Sequence, residues 1–362
     1  MLFIFSTDIQ IVNSYLQNIK PAQLSVCDDA DSFLQTGFWG SFKACFNWSS
    51  HSFIADWGEW GKRPVMVICR PLAAGFSFAY IPWGPELPQP QEEARYSAMV
   101  VELAQALRPL LPPATAFIRF DPPWHKAGNE EPLLLQHSLL QAAAAVQAPH
   151  TVIIDLAPDE QAVLSQMKSK CRYNIGLSSR KGVTVRRMDE EGIAAFYALL
   201  QETALRDKMS IHSLEYYEKL FAHVREYCGI CPKVLLYGAD YEGELLAALV
   251  VLVHKGTATY LYGASSNKNR NLMAPYALQW QAMKDAKGAG CTCYDLFGIP
   301  PDDDPSHPLS GLYRFKTGFG GTIIHRPGCY DYVYRPVVKT LFTSAESGRT
   351  WVRSLKRRLV KR

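Results

Sequence analysis

The chain has 362 residues, of which 48% are hydrophobic and 20% charged, and its formal net charge is +4. Its length predicts two domains or three, because one hydrophobic core rarely extends over so many residues. The composition is that of a soluble globular enzyme. It excludes intrinsic disorder and a chain dominated by one sign of charge.

The N-terminal stretch and the cysteines predict a cytoplasmic protein. The first ten residues lack a basic segment and reach Asp8 before an apolar run of signal-peptide length. No later run approaches the roughly 18 apolar residues of a membrane span. The nine cysteines are irregularly spaced, which is typical of reduced thiols rather than of a disulfide framework. Cys228 and Cys231 have CxxC spacing without a second ligand pair, so we expect no metal site.

Each half of the chain contains the same predicted series of elements: a β-hairpin, a long helix and a further strand. In the first half these elements lie at 65–70, 76–81, 91–111 and 116–122. In the second half they lie at 245–254, 257–262, 271–287 and 291–295. Gly84 and Gly263 follow the two hairpins, and Asp121 and Asp295 come at the ends of the two last strands. The two copies therefore keep nearly the same spacing.

We interpret the repeat as two copies of one α/β domain with mixed sheets. The order of elements in each copy is that of the GNAT (N-acetyltransferase-like) fold, whose sheet opens between two strands to admit the acyl donor or the acceptor. We expect GNAT-like domains at 1–148 and 149–321, a segment at 322–345 that could pack back on the first domain, and a basic amphipathic tail at 346–362. Neither copy has the glycine-rich loop that holds the pyrophosphate of acetyl-CoA in GNAT proteins, which disfavours a CoA-type donor.

The end of the first repeat supplies two candidate site residues. Arg119 alternates along its predicted strand with apolar residues, and Asp121 comes at the C-terminal end, where site residues of open sheets tend to collect. We predict that Asp121 accepts a proton and that Arg119 binds substrate. The alternative is a structural pair between these two side chains, or a turn capped by Asp121.

The stretch 311–321 combines cations, aromatic rings and glycines. It follows a predicted buried strand and an acidic loop, and its glycines predict a sharp turn. Arg314 and Lys316 lie beside Phe315 and Phe319, and rings that exclude water would strengthen the interaction of a lysine with a developing negative charge. The alternative is the start of a strand with solvated charges.

Six motifs follow one another along most of the chain, at 33–43, 80–85, 118–122, 170–183, 260–265 and 312–321. Together they resemble the FemABX family, the non-ribosomal aminoacyltransferases that build peptidoglycan cross-bridges. The resemblance implies aminoacyl-tRNA as co-substrate in place of a cofactor, and lipid II or UDP-MurNAc-pentapeptide as acceptor. Some members insert a coiled-coil arm for tRNA in the second domain, but the stretch 193–227 is too short for one.

The resemblance also implies roles for individual residues. Lys316 matches the family lysine that faces the developing negative charge, and we predict that it is catalytic. Lys43 matches a lysine that binds the phosphates of the acceptor, and Tyr262 matches a tyrosine of the acceptor channel. Arg206 matches a position near the acceptor only loosely. The alternatives are a helix-surface lysine over Trp39 for Lys43 and a core tyrosine for Tyr262.

Two further residues of the last motif are predicted to contact substrate. Phe315 would shield Lys316 from water together with Phe319. Arg314 would face phosphate or serve a structural role.

Basic residues are concentrated in two stretches. Seven of them crowd one predicted face, which could bind the phosphates of tRNA or be a solvated surface: Lys168, Lys170, Arg172, Arg180, Lys181, Arg186 and Arg187. Seven more lie at 349–362, without acids and with apolar residues interleaved. That pattern predicts a cationic amphipathic helix for an anionic membrane surface or a phosphate backbone, and the alternative is a solvated chain end.

The principal hypothesis is an aminoacyltransferase that moves glycine, alanine or serine from aminoacyl-tRNA to the stem-peptide amine of a peptidoglycan precursor. The ester of the donor is already activated, so the protein must orient the amine, accept its proton and stabilise the oxyanion. One alternative is a GNAT-like N-acyltransferase that uses a CoA or carrier thioester on another amine. Another is an RNA- or membrane-binding module with a decayed site. We expect a cytoplasmic monomer with peripheral contact to the inner face of the plasma membrane.

Overall fold

The computed structural model describes residues 14–87, 93–124 and 138–346 of the chain. These residues form two mixed β-sheets with helices packed against them. Every helix among them is too short or too polar to cross a bilayer. The basic tail predicted at 346–362 lies outside the described residues apart from Glu346.

The first sheet contains β1 (Asn18–Ala22), β2 (Ser49–Asp56), β3 (Lys62–Pro71), β4 (Ser77–Ile81), β5 (Thr115–Phe120), β6 (Leu139–Gln141) and β14 (Tyr330–Val333). Its strand order is β1-β2-β3-β4-β5-β14-β6. All neighbours are antiparallel except β4 and β5, which are parallel. Helix α2 (Glu93–Leu107) makes the crossover between this parallel pair.

The second sheet contains β7 (His150–Asp155), β8 (Thr184–Met188), β9 (Lys233–Tyr241), β10 (Glu244–His254), β11 (Thr257–Ser265), β12 (Cys293–Asp295) and β13 (Thr322–His325). Its strand order is β13-β7-β12-β11-β10-β9-β8, and here only β11 and β12 are parallel. Helix α7 (Ala274–Gly288) connects them. The second sheet thus repeats the first, and the predicted fold of tandem GNAT-like α/β domains with mixed sheets is confirmed.

The remaining helices are α1 (Gly37–Ala44), α3 (Glu160–Gln166), α4 (Ser169–Arg180), α5 (Ile193–Asp207), α6 (Leu214–Glu226), α8 (Ser310–Gly318) and α9 at 336–346. One buried core lies between the domains, where rings of α1 meet rings of α6. The ring centroids of Phe42 and Tyr216, for example, are 5.0 Å apart. The two domains therefore share apolar packing.

The turn predicted within 311–321 is wrong, because most of this stretch forms α8. Phe315 and Phe319 are spaced four residues apart, as on one helix face, and their ring centroids are 5.3 Å apart. The glycines act at the end of the helix instead. Gly320 and Gly321 have positive φ angles of 79° and 80° and lead the chain into β13.

The C-terminal end of the described chain returns to the first domain. β14, from the end of the described chain, pairs with β5 in the first sheet. β7, which follows the first domain in sequence, pairs with β12 in the second sheet. The segment 322–345 is accordingly divided, with β13 in the second sheet and β14 in the first. The chain between β13 and β14 crosses from one domain to the other, close to the C-terminal ends of β5 and β12.

Candidate active site

Lys316 lies on α8 with its amine buried against the end of the second sheet. Its Nζ donates hydrogen bonds to the carbonyl oxygens of Phe297, at 3.2 Å, and Gly298, at 2.8 Å. The ring centroid of Tyr260 is 5.1 Å from Nζ, and only 5% of the residue is exposed. Burial lowers the pKa of Lys316 to about 7, against the opposing effect of the Asp295 carboxylate. Near neutral pH the amine therefore exists in both protonation states. A buried lysine with a pKa perturbed in this way is a candidate for stabilising negative charge in a reaction.

Asp295 ends β12 and organises the loop that holds Lys316. Its Oδ1 accepts hydrogen bonds from the Thr151 hydroxyl and from the backbone N–H of Phe297, the latter at 2.7 Å. Phe297 has a φ of 58°, a left-handed conformation that is uncommon for a bulky residue and is often found at functional sites. Burial raises the pKa of Asp295, and the charge of Lys316 opposes that shift. The sequence pointed to Asp295 only through its correspondence with Asp121 in the repeat.

Asp121 follows β5 at the equivalent position of the first domain. Its Oδ2 accepts a hydrogen bond of 2.8 Å from the Tyr80 hydroxyl, and the residue is fully buried. Burial raises the pKa of Asp121 to about 6, while the bond from Tyr80 and the charge of Arg326 lower it. A carboxylate with this pKa is suited to accept a proton near neutral pH.

Arg326, in the chain between β13 and β14, connects the two aspartates electrostatically. Burial lowers its pKa, and the carboxylates of Asp295 and Asp121 oppose that shift. Its guanidinium carbon is 4.1 Å from the ring centroid of Trp83, and that ring lies 5.5 Å from the ring of Phe297. A continuous series of contacts thus connects the two domains. We call this place, formed by Lys316, Phe297, Trp83 and Arg326, the domain junction. Sequence reasoning missed Arg326, because no local pattern marks an isolated arginine.

Lys43 lies on α1 in a partly buried aromatic cage. Its Nζ is 5.9 Å from the ring centroid of Trp39, 5.7 Å from that of Trp48 and 5.3 Å from that of Tyr216. Burial lowers the pKa of Lys43 to about 8, and the positive charge of Arg70 acts in the same direction. Two cations are therefore held near each other beside rings, an arrangement that an anion would stabilise.

Tyr262 and Arg206 lie in the second domain, around the same aromatic cluster. The hydroxyl of Tyr262 donates a hydrogen bond of 3.2 Å to the hydroxyl of Tyr216, the residue that also faces Lys43. Arg206 donates to the Ser265 carbonyl oxygen at 2.8 Å and to Asn267 Oδ1 at 3.0 Å, beyond Tyr262 along the chain. The structure thus brings Lys43 and Tyr262 together through one tyrosine.

Arg119 has a structural position. It is 1% exposed, and its five N–H groups donate to the carboxylates of Asp331 and Glu346 and to the Ala144 carbonyl oxygen. The pair with Asp121 that the sequence allowed is replaced by the pair with Asp331, at 2.7 Å. No N–H group of Arg119 is left for a substrate, and the residue fastens β14 and α9 to β5 instead.

The other predicted residues of α8 face away from the Lys316 amine. Arg314 is exposed. Phe315 packs against Tyr276, with ring centroids 5.0 Å apart, and against Phe319. The ring that lies over the Lys316 amine is that of Tyr260, in the shielding position predicted for the phenylalanines.

The seven basic residues at 168–187 are exposed on and beside α4 and β8. Arg186 pairs with Asp240 at 2.8 Å, and Arg187 pairs with Asp285 at 3.5 Å. The remaining five contribute an excess of positive charge to this surface, which we call the α4–β8 basic face.

Comparisons with known proteins agree with this architecture. A model described as the FemAB family matches residues 132–227 and 237–347. The lipid II:glycine glycyltransferase of Staphylococcus aureus (strain USA300) is 22% identical over 250 residues, and that of Staphylococcus saprophyticus is 24% identical over 247 residues. Each alignment covers 52% of this chain and 59% of the relative, so the chain spans about three fifths of the curated relatives it matches. The crystal structure of FemX is 17% identical, with a TM-score of 0.76 over 90% of this chain and 100% of that chain.

Proposed function

This chain belongs to the FemAB family, and we propose that it is an aminoacyltransferase of peptidoglycan bridge synthesis. In this proposal it moves glycine, alanine or serine from aminoacyl-tRNA to the stem-peptide amine of lipid II or UDP-MurNAc-pentapeptide. The names of the curated relatives favour glycine and lipid II among these options. The observation that carries the proposal is the buried Lys316 amine at the domain junction, with one N–H group left after two carbonyl hydrogen bonds.

The reaction forms one bond and breaks another. The neutral amine of the acceptor attacks the carbonyl carbon of the aminoacyl ester, and its proton passes to Asp121. Lys316, as an ammonium ion, stabilises the oxyanion of the tetrahedral intermediate through its remaining N–H group. The intermediate then collapses, the ester C–O bond breaks, and the ribose oxygen leaves as a hydroxyl group with the proton that Asp121 took from the amine.

Lys43 and the cage around it are the proposed binding site for the phosphates of the acceptor. The amine is paired with rings rather than with a carboxylate among the described residues, so its charge is available to an anionic ligand. Tyr262 extends the site along β11 into the second domain. The α4–β8 basic face is the proposed contact for tRNA, since phosphate backbones bind clusters of exposed cations.

The proposal is tested by offering radiolabelled glycyl-, alanyl- and seryl-tRNA with lipid II or with UDP-MurNAc-pentapeptide. We expect label to pass to one of these acceptors and to depend on the charged tRNA. A parallel reaction with acyl-CoA and the same acceptors tests the alternative of a thioester donor. Turnover of acyl-CoA without transfer from any tRNA would refute the aminoacyltransferase and support the alternative.

A further inference from the structure

Arg326 is a buried arginine whose hydrogen-bonding capacity the fold does not use. It is 9% exposed, and the backbone N–H of Arg326 donates to the Pro149 carbonyl oxygen at 2.9 Å. Its side-chain Nε and Nη1 are inaccessible to solvent and have no hydrogen-bond partner in the described part of the chain. Arg119, the other buried arginine among the described residues, has a partner for each of its five N–H groups. The contrast shows that this fold can satisfy a buried guanidinium, and that it leaves Arg326 unsatisfied.

Two more unsatisfied polar atoms lie at the same junction. The indole Nε1 of Trp83, the ring under the Arg326 guanidinium, is buried without a partner among the described residues. Oδ1 of Asp121 likewise has no described partner within hydrogen-bond distance, while Oδ2 accepts from the Tyr80 hydroxyl, and the backbone N–H of Gln147 is near enough to this carboxylate to lower its pKa. The charges of Asp121 and Arg326 influence each other. The junction therefore has free donors on Arg326 and Trp83 and a free acceptor on Asp121. Buried polar groups in native proteins rarely lack a hydrogen-bond partner.

A ligand that carries a carboxylate and an amine on one carbon offers an acceptor to the free donors of Arg326 and a donor to the free oxygen of Asp121. We propose that the acceptor amine belongs to such an amino-acid head group, with its carboxylate bound by Arg326 and its amine directed at Asp121. This inference rests on the proposed function and specifies its acceptor. A diamino acid whose side chain ends in both groups, as diaminopimelate does, has this chemistry, whereas lysine ends in an amine alone.

The charge balance favours a carboxylate over a phosphate group. Two cations, Lys316 and Arg326, lie with two carboxylates, Asp121 and Asp295, so the junction is close to neutral when all four are ionised. An amino-acid head group whose amine is neutral, as attack requires, adds one negative charge, whereas a dianionic phosphate would add two in a buried site. The head group reaches the guanidinium when the Trp83 ring and its neighbours move apart, since Nε and Nη1 are covered in the unliganded chain.

The test compares two acceptors that differ only in the carboxylate. One is the soluble precursor peptide with meso-diaminopimelate, and the other is the same peptide with the side-chain carboxylate amidated. The intact protein is assayed with the charged tRNA that serves as its donor. We expect the free carboxylate to raise kcat/KM by about tenfold or more, since a site built around a charged hydrogen bond discriminates against the analogue that lacks it. Calorimetric titration without donor should give the same order of affinities.

Substitutions of Arg326 test whether this residue causes the preference for the acceptor with a free carboxylate. Arg326→Gln should lower kcat/KM for the carboxylate acceptor at least about tenfold more than for the amidated one. Arg326→Lys keeps the charge and serves as a second variant if the glutamine protein unfolds, and it should lose part of the preference. Arg63→Gln on β3 is the matched control away from the junction, and it should keep the preference of the wild-type protein.

The outcomes separate this inference from the proposed function. Equal kcat/KM and equal affinity for the two acceptors in the wild-type protein overturn the inference and leave the aminoacyltransferase standing. Preferential use of a lysine-containing precursor would also overturn the inference and leave the aminoacyltransferase standing. Arg326 would then only balance the charges of Asp121 and Asp295. Absence of transfer to every precursor, with each charged tRNA, overturns both.

Discussion

The amine of Lys316 has three N–H groups, and the carbonyl oxygens of Phe297 and Gly298 accept two of them. In the proposed mechanism the third donates to the oxyanion. Lys316→Ala is therefore expected to lower kcat by about a hundredfold or more, the usual effect of removing an oxyanion donor. Single-turnover transfer measures this loss independently of product release.

A second variant separates catalysis from stability at the same position. Lys316→Met removes the cation and keeps most of the side-chain volume; it leaves the Asp295 carboxylate and two carbonyl oxygens without the amine, so Tm should fall while the protein stays folded and activity is lost. Lys233→Ala, at an exposed lysine that begins β9, is the control and should turn over normally. Normal turnover in Lys316→Ala would refute the catalytic role.

The two proposed catalytic groups are both in the protonation state that transfer needs only over a narrow range of pH. Burial raises the pKa of Asp121 to about 6 and lowers that of Lys316 to about 7. Transfer needs Asp121 deprotonated and Lys316 protonated, so kcat/KM should rise as pH increases towards about 6 and fall above about 7. The profile of kcat/KM against pH, measured with saturating donor, checks this expectation.

Two substitutions test which group causes the rise of kcat/KM with pH and which causes its fall. Asp121→Asn should remove the acidic limb together with much of the activity. Lys316→Arg should move the basic limb to higher pH, because a guanidinium stays charged. A flat profile between about pH 5 and about pH 9 would show that neither group limits the reaction.

The candidate site could be predicted from the sequence where a residue belonged to a motif or to the repeat. Lys316 and Lys43 lay in motifs, and Asp295 corresponded to Asp121 in the second copy. Arg326 and its partner Trp83 meet only in three dimensions, since more than two hundred residues separate them along the chain. The assignment of Arg119 to substrate failed for the same reason, because its partner Asp331 comes from a distant strand.

Helix α8 ends at a glycine pair, and the position of Lys316 depends on how that pair joins β13. Gly321 has a φ of 80°, and a Cβ there would lie 2.4 Å from the carbonyl oxygen of Ile153 on β7. Gly321→Ala should therefore destabilise the protein by about 2 kcal/mol or more, since backbone strain and a backbone clash act together. Urea unfolding measures the change in the free energy of unfolding.

A second glycine provides the matched control. Gly288 ends α7, and a Cβ there would meet nothing within 4 Å. Gly288→Ala should be neutral or stabilising by about 0.5–1 kcal/mol, because alanine favours the helix. Equal effects of the two substitutions would contradict the close approach at Gly321.

Strand β14 is held to β5 by a buried ionic cluster. Asp331 is fully buried and accepts hydrogen bonds from Arg119, and it pairs with Lys339 of α9 at 2.7 Å. Asp331→Asn leaves two buried cations without this carboxylate, so the free energy of unfolding should fall by about 3–5 kcal/mol. Asp240→Asn removes the surface pair with Arg186 and should change it by less than about 1 kcal/mol.

At the scale of the whole molecule, the duplication and the return of part of 322–345 to the first domain could be predicted from the sequence, but the strands that form there and their partners could not. Hairpins and the long helices after them have regular apolar spacing, and they recur in both halves. β13 and β14 are strands of four residues each, and their partners are fixed by contacts with β7 and β5 from earlier parts of the chain. Short strands with distant partners carry little periodicity of their own.

The return of β14 to the first sheet and the shared core predict that the two domains unfold together. Chains with two domains often unfold in separate steps, each domain with its own core. Here the first sheet is completed by β14, which follows the second domain along the chain, and rings of α1 and α6 share one core. We expect far-UV circular dichroism and tryptophan fluorescence to give one coincident transition in urea.

Asp331→Asn sharpens this test of the coupling, because the substitution acts directly on the first sheet alone. If the domains are coupled, it should move the single transition to lower urea as a whole, with both probes shifted equally. The reason is that release of β14 also frees the chain through Arg326 and β13, which pairs with β7 in the second sheet. Two transitions, of which only one responds to Asp331→Asn, would mean that the shared core and the return of β14 to the first sheet do not couple the domains.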